Sequence, residues 1–175
     1  LESTELEGYM VGNKTKVLLQ DMDLIRFRQE LEADREFLNH IAEIAQSVNA
    51  GRDAKLDKLK QTIANKAANP LNPNNKKVIV FTAFADTAQY LYSNLAKWAQ
   101  AELNIQTALV TGGGTNKTTL ANLGSDLNDI LTAFSPVSKE RHKVDPTAST
   151  ELDLLIATDC ISEGQNLQDC DTLIN

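Results

Sequence analysis

Cysteine and histidine are scarce in this 175-residue chain: only Cys160, Cys170, His40 and His142 occur. No C-x-x-C spacing is present and no histidine pair stands near a cysteine, which argues against a zinc centre. Two cysteines do not make a disulfide framework, so a reducing compartment is expected, with a cytoplasmic location. Neither histidine has a catalytic partner in the sequence, and both read as solvated. No Ser/His/Asp or Cys/His constellation can be assembled, and Cys160 reads as a small packing residue. A basic excess is missing too. The net charge of -7 and pI of about 4.8 argue against a protein that simply coats nucleic acid. They leave room for one that grips phosphates with backbone N–H groups and a few hydroxyls. No apolar run is long enough to span a bilayer and no segment reads as a signal peptide, so no membrane association is expected.

What is present is enough apolar residue for a real core, as one domain with an appendage or as two small units. Residues 15–19 suggest a short strand after a turn at Gly12-Asn13. From Asp23 the apolar positions Leu24, Phe27, Leu31, Leu38, Ile41, Ala45 and Val48 recur every three or four residues, which predicts a long helix ending at residues 49–51. A shorter helix follows through Leu56, Leu59 and Ile63, then a linker rich in Asn and Pro over residues 69–75. Beyond it the rhythm changes. Residues 77–82, 105–110 and 152–157 are near-continuous apolar runs, as in strands buried on both faces, and a fourth begins at Thr172. Between them a helix capped by Asp86-Thr87 is expected to present Leu91, Leu95 and Trp98, and another to run through Leu120, Leu123, Leu127, Ile130, Leu131 and Phe134. Residues 135–150 read as a polar surface loop. Strand and helix in alternation predict an open parallel sheet with helices on both faces, preceded by a helical arm. Ligands bind such sheets at the carboxyl ends of the strands, where Thr82, Thr111 and Thr158 fall.

The 111–115 loop, TGGGT, does not fit a P-loop, because Asn116 precedes Lys117 and Thr111 occupies the place of the first Gly. It reads as a flexible turn whose glycines would let backbone approach a phosphate. Thr158-Asp159 has two readings, a helix N-cap or a ligand-facing turn. Glu163, Gly164 and Asn166 favour the second, because a binding loop must supply several convergent polar groups. Lys76-Lys77 reads as a solvated turn.

The run VIVFTAFADTAQYL, from Val78 to Leu91, resembles motif IV of the superfamily 2 helicases. IATDCISEGQNLQDCDTLIN resembles their motif V in the form used by Swi/Snf-like translocases, closely so for the bacterial helicase-related members. The Phe134-Ser135 element and the KER-containing loop after it also fit that group. The resemblance implies a C-terminal RecA-like lobe over residues 76–175, stopping before motif VI, behind a helical arm over residues 1–75. It implies that Thr158 contacts a nucleic-acid phosphate, that Asp159 orients the loop, and that Thr82, Thr111 and Gly112 line the nucleic-acid track. Gly164 and Asn166 would form the nucleotide side, with Asn166 toward the ribose, where related DEAD-box proteins usually carry Asp.

The implied partners are double-stranded DNA and the N-terminal RecA-like lobe of the same polypeptide. The implied cofactors are ATP and Mg2+ in a longer parent, with none expected on this chain. The P-loop, the acidic magnesium box and the arginines of motif VI do not occur, so no catalytic residue is expected, and an ending at Asn175 inside an apolar run reads as part of a longer protein. Two other readings stand beside this one. A non-catalytic α/β platform could dock partners through its helical arm. An α/β enzyme could bind a nucleotide-sugar or dinucleotide at TGGG, although it lacks G-x-G-x-x-G after a strand and an acidic ribose partner.

Overall fold

The computed structural model describes residues 9–113, 116–161 and 164–175, apart from the Cys160 side chain. The expectations for Glu163, for the 114–115 part of the glycine loop and for the packing of Cys160 lie outside the described residues. Two compact units are present, Leu1–Arg52 and Asp53–Asn175. The second unit takes in the helix of residues 54–68 as well as the lobe expected from residue 76 onward.

In the first unit, β1 (Met10–Val11) and β2 (Val17–Leu18) pair antiparallel. Gly12 turns between them with φ of +114°, and a Cβ there would lie 2.0 Å from the Thr15 carbonyl oxygen, so only glycine fits. Helix α1 (Leu24–Ser47) starts where the Asp23 carboxylate accepts from the Arg26 N–H at 3.0 Å. Arg26–Glu30 and Arg28–Glu32 pair along its surface at 2.9 Å. Exposed pairs of this kind add only about 0.3–0.5 kcal/mol each. No residue of α1 is buried, and Leu31, Leu38, Ile41 and Ile44 of its apolar face are exposed.

The second unit opens with α2 (Ala54–Ala68), capped by Asp53, whose Oδ1 accepts from the N–H groups of Lys55 and Leu56 at 3.0 Å each. Its other oxygen accepts from the Tyr90 hydroxyl at 3.0 Å. The sheet then assembles from β3 (Val78–Phe81), β4 (Thr107–Val110), β5 (Lys117–Thr118), β6 (Leu154–Ala157) and β7 (Leu173–Ile174), in the order β5-β4-β6-β3-β7. β4, β6, β3 and β7 run parallel, and β5 closes one edge antiparallel. Residues alternate between the two faces of each strand. Ile79, Ala108, Val110, Leu155 and Ala157 meet Ile130, Leu131 and Phe134 of α4 (Leu127–Phe134) in one buried cluster. Helix α3 (Ala85–Trp98) lies against β4 and β6 and contributes the buried Ala88, Leu95 and Ala96. A π-type turn at Ala99–Leu103 extends α3 until Asn104, at φ of 51°, ends it in the left-handed region. Burying a Leu, Ile or Phe completely is worth about 1.5–3 kcal/mol. β6, with Leu154, Leu155 and Ile156 all sealed, is therefore the axis of the core. The result is a RecA-like α/β lobe.

Three local expectations are corrected. The helix expected from Leu120 begins at Leu127, because the Asp126 carboxylate takes the N–H groups of Asn128 and Asp129 at 2.8 and 3.1 Å. Lys117 and Thr118, ahead of the expected start, form the unexpected β5, which makes the sheet mixed at one edge. Asp86-Thr87 does not cap α3. Phe84 holds that position and offers no side-chain acceptor, while Asp86 sits in the first turn. Lys77 is not a solvated turn residue. Its ammonium is buried, paired with Glu151 at 2.7 Å, bonded to the Leu152 carbonyl at 3.0 Å and 5.5 Å from the centre of the Phe134 ring. Within the polar loop a short helix α5 (Arg141–Val144) also forms.

Candidate nucleic-acid interface

Parallel register decides what the carboxyl edge of the sheet presents. Phe81, Ala157 and Val110 stand side by side on β3, β6 and β4, so the next residues, Thr82, Thr158 and Thr111, leave the sheet together. The Thr82 N–H still donates to the Ala157 carbonyl at 3.0 Å, and the Thr158 N–H to the Val110 carbonyl at 3.2 Å. These bonds carry the ladder one residue past the strands and fix the row. Thr111 and Thr158 are largely buried, Thr82 is half-buried, and Gly112 and Asp159 are exposed beside them. Asp159 opens a single 3-10 turn, Asp159–Ile161, closed by the Ile161 N–H on the Thr158 carbonyl at 3.4 Å.

The start of α3 adjoins this row. The Thr82 Oγ1 accepts from the Phe84 N–H at 3.4 Å, and the helix begins without a side-chain cap. The first-turn N–H groups of an uncapped helix favour an anion, although Asp86 in the same turn works against it. The Thr111 N–H points to Asn116 Oδ1 at 3.4 Å, and Asn116 in turn donates to the Ser125 carbonyl at 3.0 Å, which ties Thr111 to the segment just ahead of α4.

From the same edge the chain descends through residues 164–171 toward the amino end of β7. Gly164 turns at φ of +72° with open space around it, so the restriction there is conformational rather than steric. Asn166 is exposed and donates through Nδ2 to the Ser138 carbonyl at 3.2 Å. The structure thus brings Thr82, Thr111, Gly112, Thr158 and Asp159 to one edge and carries Gly164 and Asn166 away along the descending segment.

Sequence reasoning missed what holds that segment. Asp169 Oδ2 accepts from the Val137 N–H at 2.7 Å, and Oδ1 accepts from the Ser138 N–H at 2.9 Å and from the Ser138 hydroxyl. Asp171 pairs with the buried Lys66 of α2 and accepts from Asn72 at 2.8 Å. Burial works to raise the Asp171 carboxyl, but the hydrogen bonds from Lys66, Asn72 and Thr172 outweigh it and hold it below the ordinary aspartate value. Burial pushes the Cys170 thiol up, and its Sγ lies 3.2 Å from the Thr172 carbonyl, so it is a packing residue and not a nucleophile. At the same amino edge burial pushes the Asp153 carboxyl up, with Lys77 opposing it and Glu151 adding to it. The only advance signal for these partners was an aspartate on either side of Cys170, too little to name them.

Residues 151–175 contain no lysine, arginine or histidine. Among the described residues no group of three or more His, Cys, Asp and Glu side chains could hold a metal ion. This donor set does not fit a magnesium triphosphate by itself. It fits one hydroxyl, since Asn166 has spent an N–H on Ser138 and keeps Oδ1 as an acceptor. No helix among the described residues is long and apolar enough to cross a membrane.

The fold and this edge define a RecA-like lobe. Residues 54–175, well over half of the chain, match the helicase conserved C-terminal domain, and the chain belongs to that family. The match begins at the first residue of α2. No curated protein matches the chain.

Proposed function

We propose that this chain is the C-terminal lobe of an ATP-dependent, Swi/Snf-like superfamily 2 translocase of the bacterial helicase-related type, and that its carboxyl edge tracks double-stranded DNA. The observation that carries this reading is the register that aligns Thr82, Thr111 and Thr158 beside the uncapped start of α3. Hydroxyls and backbone N–H groups can hold a phosphate without a basic surface, which suits a chain of net charge -7. In this reading Thr82, Thr111, Gly112 and Thr158 meet phosphates and Asp159 orients the turn. Gly164 and Asn166 face the nucleotide on the ribose side. ATP with magnesium, bound against the N-terminal lobe, supplies the phosphoryl-transfer free energy in the cytoplasm. This lobe's residues hold DNA and orient the shared site.

A second reading draws on the exposed apolar face of α1, which suits a module that docks protein partners. A Thr158→Ala variant, made in a polypeptide carrying both lobes, separates the two. A hydroxyl-to-phosphate bond is charge-assisted and worth roughly 1.5–3 kcal/mol. DNA-stimulated ATPase should therefore fall more than basal ATPase. Equal loss of both would mark a folding defect, and loss of neither would favour the docking module.

A further inference from the structure

The descending segment and the loop after α4 form a seam of side-chain bonds, and Ser138 is its centre. Asp169 takes the Ser138 N–H and hydroxyl from one side, and Asn166 donates to the Ser138 carbonyl from the other. Lys139 Nζ reaches Gln165 Oε1 at 3.2 Å in the same seam. The lower end is anchored independently, because Asn75 donates to the Asp169 carbonyl at 2.9 Å while accepting from the Lys77 N–H at 3.0 Å at the start of β3. Asp169 is thus fixed to the sheet, Ser138 is fixed by Asp169, and the Asn166 amide is fixed by Ser138.

That chain of contacts has a chemical consequence. An Asn side chain offers a donor at one end and an acceptor at the other, and nothing intrinsic says which faces a ligand. One Nδ2 N–H held by the Ser138 carbonyl fixes the plane and the sense of the amide, so Oδ1 lies on the side away from Ser138, where it accepts from a hydroxyl and repels a phosphate oxygen. We propose that Asp169 is a positioning residue that, through Ser138, sets the polarity of the Asn166 amide and so makes this position selective for a ribose hydroxyl. The selectivity rests on the nucleotide-side reading of Asn166 given above; the clamp itself does not. Asp169→Asn is the informative change. One amide oxygen cannot replace two carboxylate oxygens receiving three donors, and the introduced NH2 would face the Val137 or Ser138 N–H.

The test is side-chain amide NMR in wild type, Asp169→Asn and Ser138→Ala, first on this chain without ligand and then, in a polypeptide carrying both lobes, with ADP or its 2′,3′-dideoxy analogue at millimolar concentration. Without ligand, exchange of the Asn166 amide with water should rise about tenfold in Asp169→Asn, since bonds to a charged group are the ones lost. Backbone signals of β3 and β6 should stay in place. Ser138→Ala, which removes the hydroxyl alone, should give a smaller change in the same direction, and it decides the matter if Asp169→Asn does not fold. An Asn166 amide unmoved in the variant that folds overturns the clamp. With ligand, wild type should prefer ADP over the dideoxy analogue, and Asp169→Asn should lose most of that preference. A preference retained in Asp169→Asn overturns the selectivity. If wild type ignores both nucleotides, the ribose role of Asn166 fails, and with it the selectivity, while the ligand-free spectra still decide the clamp.

Discussion

Asp171 shows how much a single side chain contributes to holding the descending segment. It pairs with Lys66, whose side chain is 6% exposed, and its own side chain is 18% exposed. Asp171→Asn leaves that lysine buried without its counter-charge, which should cost roughly 3–5 kcal/mol near neutral pH. The pH dependence follows from the lowered folded-state carboxyl. Stability from such a group is complete above the ordinary aspartate value of 3.8 and is lost as pH falls through the lower folded-state value. Urea unfolding of wild type and Asp171→Asn should therefore differ most near pH 7 and converge on acidification. A gap that stays constant or widens toward low pH would show that the ion pair is not the source. Lys66, Lys77 and Asp169 were not legible in advance. A lysine that ends in solvent and one that is buried against a carboxylate look alike in a sequence, because the partner lies far along the chain: 105 residues for Lys66 and 74 for Lys77. Thr82, Thr111 and Thr158 were legible, because each follows an apolar run and parallel register does the rest.

Capping decided the element boundaries that composition left open. Leu120 and Leu123 continue the apolar spacing of α4 backwards, yet the helix starts at Leu127, because Asp126 satisfies two N–H groups there. Residues before it find better partners across the sheet: the Thr107 N–H donates to Thr119 Oγ1 at 2.8 Å, and the Thr119 N–H donates to the Thr107 carbonyl at 2.9 Å. Asp126→Ala should cost about 1 kcal/mol, in the range for a lost N-cap. Thermal unfolding and amide exchange over residues 127–131 would register it, with the β3–β6 amides unaffected. Unchanged protection in that first turn would mean that packing of Ile130 and Phe134, rather than the cap, sets where α4 begins. The antiparallel β5 was unreadable for a related reason. Two residues, Lys117 and Thr118, carry no periodicity, and their pairing with Leu109 and Ala108 is purely tertiary. The long parallel-strand runs and α1, whose Asp23 cap and three-and-four spacing are local, were read to within a few residues.

At the scale of the whole molecule, this lobe is in the proposed reading one side of an ATPase site, which should not turn over by itself. Hydrolysis needs magnesium between phosphates and a carboxylate, a lysine and backbone cradle, and cationic stabilisation of the developing charge. Residues 151–175 provide no cation, and the chain has no G-K-[ST] run. The purified chain should hydrolyse no ATP with or without DNA in a coupled assay. Turnover that follows the chain through a sizing column would instead revive a nucleotide enzyme at the glycine loop. The central claim, that the carboxyl edge is the DNA-tracking face, is tested most directly by a duplex DNA titration followed through backbone amide NMR at low salt. The account predicts shifts at Thr82, Gly112, Thr158 and Asp159, with Lys77, Leu152 and Asp169 at the amino edge unmoved. Shifts confined to the amino edge or to α1, or none at millimolar duplex, would contradict it.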